Sequence, residues 1–135
     1  MHPEDQKIRA TVDAFAQAMK AMDRPALESL WDQGHEHHVY QPEEYERACR
    51  TWPEIVEYWG YIPGAVSEIS QWRELDVDVA VLGDAALVYA VFRTTFVLRD
   101  TGESLEGDVR FTFGLHQVDD DWRFIHCHES RQLVV

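Results

Sequence analysis

The chain has 135 residues, and its mass of 15.7 kDa is that of a single domain. Twelve Lys and Arg residues against 25 Asp and Glu residues give a net charge of −13, and such a surface repels phosphate backbones and anionic lipids. This charge excludes nucleic acid as a partner, and the lack of any run of about 18 apolar residues excludes a membrane span. The N-terminus lacks the basic start and apolar core of a signal peptide, so we expect a cytoplasmic protein.

Helical patterns fill the first half of the chain. Apolar residues at the spacing i, i+3, i+4, i+7 predict a first helix from about Glu4 to Met22. Asp23 is a suitable N-cap for a short second helix, which Gly34 ends. A short strand over 37–41 follows, and Thr51 and Pro53 then mark the start of a third helix, which Pro63 and Gly64 end.

Strand patterns fill the second half. From Ser67 onward the hydrophobic period changes to two, with Val77, Val79 and Val81 alternating with acidic residues. Further strands are predicted over 86–98, 105–118 and 122–130, separated by turns at 101–102 and 119–121. Helices followed by an antiparallel sheet, with no linker or repeat, predict one α+β domain over residues 1–135.

The strand from Ala86 to Leu98 is apolar on both faces. Leu87, Tyr89 and Val91 point one way, whereas Val88 and Phe92 point the other. An antiparallel strand with two apolar faces needs two covers, and helices supply only one of them. We therefore expect a homodimer through the other sheet face.

Glu129 is the first candidate for acid–base chemistry. If Val118 pairs with Trp122 across a three-residue turn, Glu129 lies opposite Phe111, on the aromatic face that the helices cover. A carboxyl group without a cation there would have a raised pKa. The other interpretation is that Glu129 reaches solvent or pairs with an arginine. The same register places Trp122, Phe124, His126, His128 and Ser130 on the polar face.

Arg93 is the natural partner for an acid in the sheet, because an arginine within an apolar strand is rarely buried without an anion. A two-residue loop at Thr101-Gly102 would pair Arg93 with Arg110, on the face opposite Glu129. A bulge near Gly102 or Gly107 would shift the register by one residue and turn Arg93 inward. Both registers remain open from the sequence.

Histidines and a tyrosine give weaker signals. His126 and His128 share a strand face but match no metal-binding spacing, which favours a hydrogen-bonding role at an interface and gives no metal site. Tyr40 shares a strand face with His38 at the mouth of the expected cavity, where a phenol can donate to an oxyanion or simply reach water. Asp13 borders the apolar stripe of the first helix. Cys49 and Cys127 are expected to be reduced thiols.

Several segments together resemble a known superfamily. They are the strand ending with Val81-Leu82-Gly83-Asp84, a Trp-containing third helix, and the closing segment 122–130, which reads WRFIHCHES. This layout resembles the nuclear transport factor 2-like superfamily, in its SnoaL-like and ketosteroid isomerase-like branch, and is also similar to the association domain of calmodulin-dependent kinase. The resemblance implies a cone-shaped domain, with a curved, mostly antiparallel sheet wrapped by N-terminal helices around a pocket, and commonly a dimer through the sheet.

The resemblance also suggests site residues. In the kinase association domain the positions of Glu129 and Arg93 line the pocket and are both arginines, so the glutamate here departs from that anion-binding pattern. Asp13 falls where that domain carries a pocket acid, whereas His126 and His128 point away from the pocket. Enzymes of the superfamily use acids, tyrosines or histidines in the cone, usually with no cofactor, and none is expected here. The acid–tyrosine trio of the isomerases and the acid–arginine set of the epoxide hydrolases have no clean match in this chain.

These observations predict a small-molecule pocket, and leave open whether the chain is a proton-transfer enzyme (isomerase, dehydratase or cyclase), a ligand-binding module or a dimerisation domain. The catalytic candidates are Glu129, Tyr40 and Asp13. The ligand-binding candidates are Arg93, Trp59, Tyr58, Ile55, Phe111, Phe113, Cys127 and His38. An unpaired Glu129 favours catalysis, whereas an ion pair with Arg93 favours binding, and a cavity filled by aromatic side chains favours a dimerisation domain.

Overall fold

The computed structural model describes residues 2–135 as three helices packed on one face of a five-stranded sheet. The elements are α1 (Asp5–Ala21), α2 (Arg24–Ser29), β1 (Val39–Gln41), α3 (Trp52–Ala65), β2 (Val66–Leu82), β3 (Ala85–Leu98), β4 (Ser104–Val118) and β5 (Asp121–Ser130). The strand order is β1-β5-β4-β3-β2, and only the β1–β5 pair is parallel. The predicted α+β class, with N-terminal helices on a curved, mostly antiparallel sheet, is confirmed. Within residues 2–135, no helix has the length and apolar character to cross a bilayer.

The helix boundaries follow from local chemistry. Helix α1 ends at Ala21, and the left-handed conformation of Met22 (φ of 51°) lets the N–H of Asp23 bond back to the carbonyl of Ala18. Helix α3 begins with a capping box in which Thr51 Oγ1 accepts from the N–H of Glu54, and Glu54 Oε1 accepts from the N–H of Thr51. The predicted stop at Pro63-Gly64 is slightly early, because α3 continues to Ala65 and leads directly into β2.

Aromatic packing joins α1 to the sheet. Phe15 is fully buried, and its ring centroid lies 5.9, 5.1 and 5.4 Å from those of Phe111, Phe113 and Phe124. Each such edge-on or tilted contact adds about 0.5–1.5 kcal/mol beyond the burial of apolar area. This contact holds α1 against the middle of β4 and β5.

The predicted pairing of β5 with β4 is wrong at the start of β5, because that strand contains a bulge. Asp121 pairs with Val118 across a two-residue turn, and Leu115 pairs with Phe124, but Gly114 pairs with His126. The extra residue is therefore Ile125. Before the bulge, the predicted outward direction of Trp122 and Phe124 is wrong, since both are buried in the core. Beyond it, the predicted pairing of Glu129 with Phe111 is confirmed.

The other face of the sheet is open. In β3, Val88, Ala90 and Phe92 are buried, whereas Leu87 and Tyr89 are 52% and 43% exposed. The alternation predicted for this strand is therefore confirmed, and the helices cover only one of its faces. In β2 the predicted inward valines pack against the core. The same alternation predicts that Leu75 points inward, but Leu75 lies at a register shift and is exposed.

Removing the Phe15 ring should cost a large part of the domain's stability. Phe15→Ala leaves a cavity between α1 and the sheet and should lower the free energy of unfolding by about 3–5 kcal/mol, as is usual for buried phenylalanines. Urea unfolding followed by circular dichroism measures this difference. Leu133→Ala, at a position 81% exposed, is the control and should change it by no more than about 0.5 kcal/mol. Equal effects for the two variants would contradict the packing described.

Candidate functional site

A cavity of about 290 Å³ lies between the helices and the inner face of the sheet. Its wall is mostly apolar and aromatic, with Tyr58, Trp72, Phe96 and Phe111 among the rings. The remaining lining residues are Met19, Glu43, Glu44, Tyr61, Ile62, Ala65, Val66, Leu98, Leu105, Val109 and Glu129. Such a mainly apolar hollow with a few polar groups is typical of small-molecule sites. Tyr61 and Leu105, which are largely exposed, mark its rim.

Strand pairing places Glu129 at the buried end of this cavity. Its strand, β5, lies between β4 and β1 in the sheet. Glu129 pairs with Phe111 of β4, and Cys127, two residues earlier in β5, pairs with Tyr40 of β1. Because alternate residues of β5 beyond the bulge face the helices, both Cys127 and Glu129 point inward. Only 7% of Glu129 is exposed, so its carboxyl group lies in the core rather than at the surface.

The carboxyl group of Glu129 is hydrogen-bonded but has no counter-ion. The phenol of Tyr40 donates to Oε2 at 2.7 Å, and the backbone N–H of Glu43 donates to Oε1 at 3.4 Å. Among residues 2–135 no basic side chain forms an ion pair with it. Burial raises the pKa of Glu129 from 4.5 to about 8; the Tyr40 hydrogen bond opposes that shift, and the nearby carboxylate of Glu44 adds to it.

A second carboxyl group lies on the same wall, towards the rim. Glu44 follows β1, and its two carboxylate oxygens each accept from the phenol of Tyr58 at 3.3 Å. Partial loss of hydration on the cavity side raises the pKa of Glu44, although the Tyr58 hydrogen bond opposes the shift. The cavity thus carries two glutamate–tyrosine pairs, whose rings, Tyr40 and Tyr58, lie 5.3 Å apart.

The third acid of the wall is already neutralised. Glu43 forms an ion pair with Arg131, which follows the end of β5. The guanidinium of Arg131 lies 5.8 Å from the ring centroid of Phe96 and also donates to Thr94. Gly107 makes room for it, since a Cβ atom there would stand 2.6 Å from Arg131 Nη1.

Two predicted site residues lie outside the cavity. Arg93 pairs with Asp108 in the β3–β4 register and forms ion pairs with Asp108 (3.1 Å) and Glu106 (3.6 Å) on the outer face of the sheet. The connection between β3 and β4 spans 99–103, longer than the assumed two residues, and no bulge turns Arg93 inward. Asp13 is exposed and accepts from Gln17 Nε2. The predicted pocket positions of Arg93 and Asp13 are therefore corrected.

Other candidates belong to the packed core. Ile55, Trp59, Phe113 and Cys127 are buried but do not reach the cavity wall. His38 is also buried, and its Nε2 lies 2.6 Å from the backbone oxygen of Asp32. These five are core residues rather than lining residues. Tyr58, Phe111 and Glu129 do line the cavity.

Tyr40 does not lie at the cavity mouth, where the sequence placed it. It is fully buried, and its hydroxyl donates to Glu129. It therefore contacts the candidate acid directly and holds its orientation.

Sequence patterns missed the acids of the rim. Glu43 and Glu44 immediately follow Pro42, where the predicted strand ends, so no periodic pattern indicates which way their side chains point. Trp72 lies in the first half of β2, where two register shifts obscure the alternation of side chains. Arg131 lies beyond the last strand. The sequence feature that indicates them is the pair of adjacent glutamates in a loop beside a strand end, where functional side chains are common.

Two histidines, His35 and His116, lie together beside Asp32. His116 Nε2 lies 2.6 Å from Asp32 Oδ2, and the rings of His35 and His116 are 4.9 Å apart. Across the described residues, no three His, Cys, Asp or Glu side chains are arranged to hold a metal ion.

Comparison with known proteins gives one family and several structural neighbours. The model of the SnoaL-like domain matches residues 8–134. A candidate dehydratase of the nuclear transport factor 2-like family from Streptomyces avermitilis superposes with a TM-score of 0.87 at 22% identity, covering 97% of this chain and 98% of that one. A ketosteroid isomerase-like protein from Erwinia carotovora atroseptica has a TM-score of 0.81 at 18% identity, covering 99% and 100%.

A third neighbour is a candidate calcium/calmodulin-dependent protein kinase II association domain from Xanthomonas campestris, with a TM-score of 0.76 at 18% identity over 99% of this chain and 91% of that one. Curated protein sequences give no match. At these identities the neighbours establish the fold, and the resemblance seen in the sequence is confirmed.

The raised pKa of Glu129 should make the stability of the fold depend on pH. Between about pH 5 and pH 8 the unfolded chain has lost this proton while the folded chain keeps it, so rising pH favours unfolding. The melting temperature of the native protein should therefore fall relative to that of Glu129→Gln across this range and level off above it. Calorimetric scans of both proteins at matched ionic strength measure the difference.

The control for that experiment is Glu103→Gln, which changes an exposed turn residue. Its melting temperature should run parallel to that of the native protein at every pH. A constant difference between the native protein and Glu129→Gln would show that Glu129 ionises normally in the folded state.

Proposed function

The chain belongs to the SnoaL-like family, and from that premise we propose that it is a cofactor-independent proton-transfer enzyme, an isomerase or dehydratase, in which Glu129 is the acid–base group. The proposal rests on one observation: the carboxyl group of Glu129 is buried at the end of a cavity and has no counter-ion among residues 2–135. Perturbed acids in clefts are typical of catalytic sites.

The alternatives left by the sequence depend on what pairs with Glu129. An ion pair with Arg93 would favour a binding module, but Arg93 is held by Asp108 and Glu106 on the other face of the sheet. A hollow filled with aromatic side chains would favour a dimerisation domain, yet about 290 Å³ remains open beside Phe111. Both observations support catalysis over the two non-catalytic interpretations.

The protonation state of Glu129 suits proton transfer near neutral pH. With a pKa of about 8, both forms are populated at pH 7 to 8. In the ionised form the carboxylate can take a proton from carbon next to a ligand carbonyl. The resulting acid can return that proton to a different carbon, which isomerises the substrate, or to a leaving hydroxyl, which releases water. In either case Glu129 returns to its starting form and no oxidant is needed.

Hydrogen bonds leave one carboxyl oxygen available for the reaction. Oε2 accepts from Tyr40, whereas Oε1 has only the long contact with the N–H of Glu43. A carboxylate oxygen accepts more than one hydrogen bond, so Oε1 keeps room for a ligand proton. Tyr40 acts as a positioning residue, because its hydrogen bond to Oε2 holds the carboxyl group of Glu129 in one orientation.

Loss of the acid should abolish turnover without unfolding the protein. We expect Glu129→Gln to reduce kcat/KM at least about a hundredfold, the usual contribution of a general acid–base group. The assay follows dehydration of 4-hydroxy-4-phenylbutan-2-one by absorbance and exchange of protons next to ketones by NMR in deuterated water. In the native protein kcat/KM should rise with pH to an apparent pKa of about 8.

The matched control is again Glu103→Gln, an acid-to-amide change outside the cavity, which should keep native kcat/KM. Equal rates in Glu129→Gln and the native protein would end the catalytic role of Glu129. Binding of such ketones without any turnover would favour the ligand-binding module.

We propose in addition that a second copy of the chain covers the open sheet face. Leu87 and Tyr89 lie there among Arg110 and His128, on the side that no helix covers. Apolar side chains on a broad, uncovered sheet commonly mark an interface. Self-association through a two-fold axis is the simplest way to cover them.

Light scattering tests this arrangement. The native protein should show twice its chain mass of 15.7 kDa. Leu87→Lys, which places a charge on this face, should give the mass of a single chain, whereas Leu133→Ala should stay dimeric. A monomeric native protein at working concentration would refute the dimer.

A further inference from the structure

Every charged side chain on the cavity wall is acidic. Glu43 and Glu44 enter from the turn after β1, and Glu129 enters from β5, whereas no Lys, Arg or His lines the cavity within residues 2–135. The nearest cation, Arg131, is taken by Glu43. A ligand anion would therefore lose its hydration in a hollow whose lining side chains offer it no positive charge.

The apolar part of the wall also favours positive charge. The rings of Tyr58, Trp72, Phe96 and Phe111 line the cavity, and the face of an aromatic ring attracts cations. The chain already shows such a contact at the cavity edge, where the guanidinium of Arg131 lies 5.8 Å from the centroid of Phe96 and pairs with Glu43. A carboxylate and a ring together thus hold a cation there.

Glu44 is the acid free to bind a ligand. Its carboxylate accepts from its own backbone N–H and from the phenol of Tyr58, and it forms no ion pair in the part of the chain that the structure describes. It lies towards the rim, so a bound ammonium would stay partly hydrated while its apolar body entered the hollow. Two oxygens with spare lone pairs match the three N–H donors of an ammonium group.

We propose that the cavity selects small ring-containing amines, which Glu44 binds as ammonium ions while Glu129 faces the apolar body of the ligand. The inference rests on the proposed function only in using the same cavity. It separates two roles, since Glu44 determines which ligand binds and Glu129 moves the proton. The positive charge would also favour the carboxylate form of Glu129, so that the correct ligand would help to generate the base.

Three probes with the same ring system and different charge test the selection. They are the amine 1-naphthylmethylamine, the alcohol 1-naphthalenemethanol and the carboxylate 1-naphthaleneacetate. Each is titrated by calorimetry at low ionic strength, where charge effects are least screened. The native protein should bind the amine at least about tenfold more tightly than the alcohol, which corresponds to about 1.4 kcal/mol. It should not bind the carboxylate measurably.

The variants assign the selection to one residue. Glu44→Gln should lower the affinity for the amine to within about threefold of that for the alcohol, because it removes the charge and keeps the hydrogen-bonding shape. The affinity for the alcohol should not change. Glu103→Gln should leave both affinities as in the native protein.

The possible outcomes separate this inference from the proposed function. An alcohol or carboxylate that binds as tightly as the amine would overturn the selection of amines and leave proton transfer by Glu129 intact. An unchanged amine preference in Glu44→Gln would overturn the role of Glu44. If no probe binds while turnover sensitive to Glu129→Gln is observed, only the amine inference fails. If neither binding nor turnover is seen, both fail.

Discussion

The hydrogen bond between Tyr40 and Glu129 is the constraint on which the cavity's chemistry depends. It joins the parallel pair β1–β5 inside the core, at 2.7 Å, where a carboxyl group without any partner would be strongly unfavourable. The phenol brings no positive charge to the carboxyl group, so the hydrogen bond only partly opposes the effect of burial and the pKa of Glu129 stays at about 8. A cation in place of the phenol would have fixed the carboxylate permanently and removed its capacity to exchange a proton near neutral pH.

The bulge at Ile125 allows one strand to serve two purposes. Before it, Trp122 and Phe124 fill the core under α1; after it, Cys127 and Glu129 face the same side. Without the extra residue, strict alternation would direct either the two aromatic rings or the acid to the outer face. The core contact of Phe15 with Phe124 and the cavity position of Glu129 therefore both require this irregularity.

The sequence predicted the elements well because amphipathic periods of 3.6 and 2 reflect burial on one face. Glu129 was placed correctly because the assumed pairing is right beyond the bulge, whereas Trp122 and Phe124 precede it. The sequence left two registers open for Arg93, because a bulge near Gly102 or Gly107 would have turned it inward. The structure has no bulge there, and Arg93 pairs with Glu106 and Asp108 on the outer face. Residues outside regular elements, such as Glu44 and Arg131, have no periodic signal and can be placed only by tertiary structure.

The acids of the cavity lie on two kinds of structure, a strand of the sheet and a turn at the rim, and these differ in how freely their side chains can change. Glu129 sits on a central strand whose backbone is fixed by its neighbours on both sides, so its position follows from the sheet. Glu43 and Glu44 sit on a turn, where side chains can change with little effect on the core. The ion pair with Arg131 neutralises Glu43, which leaves Glu44 as the rim acid without an ion pair among residues 2–135. Under the proposed function, the sheet therefore sets where a proton moves, and the rim acids set which molecule is brought to it.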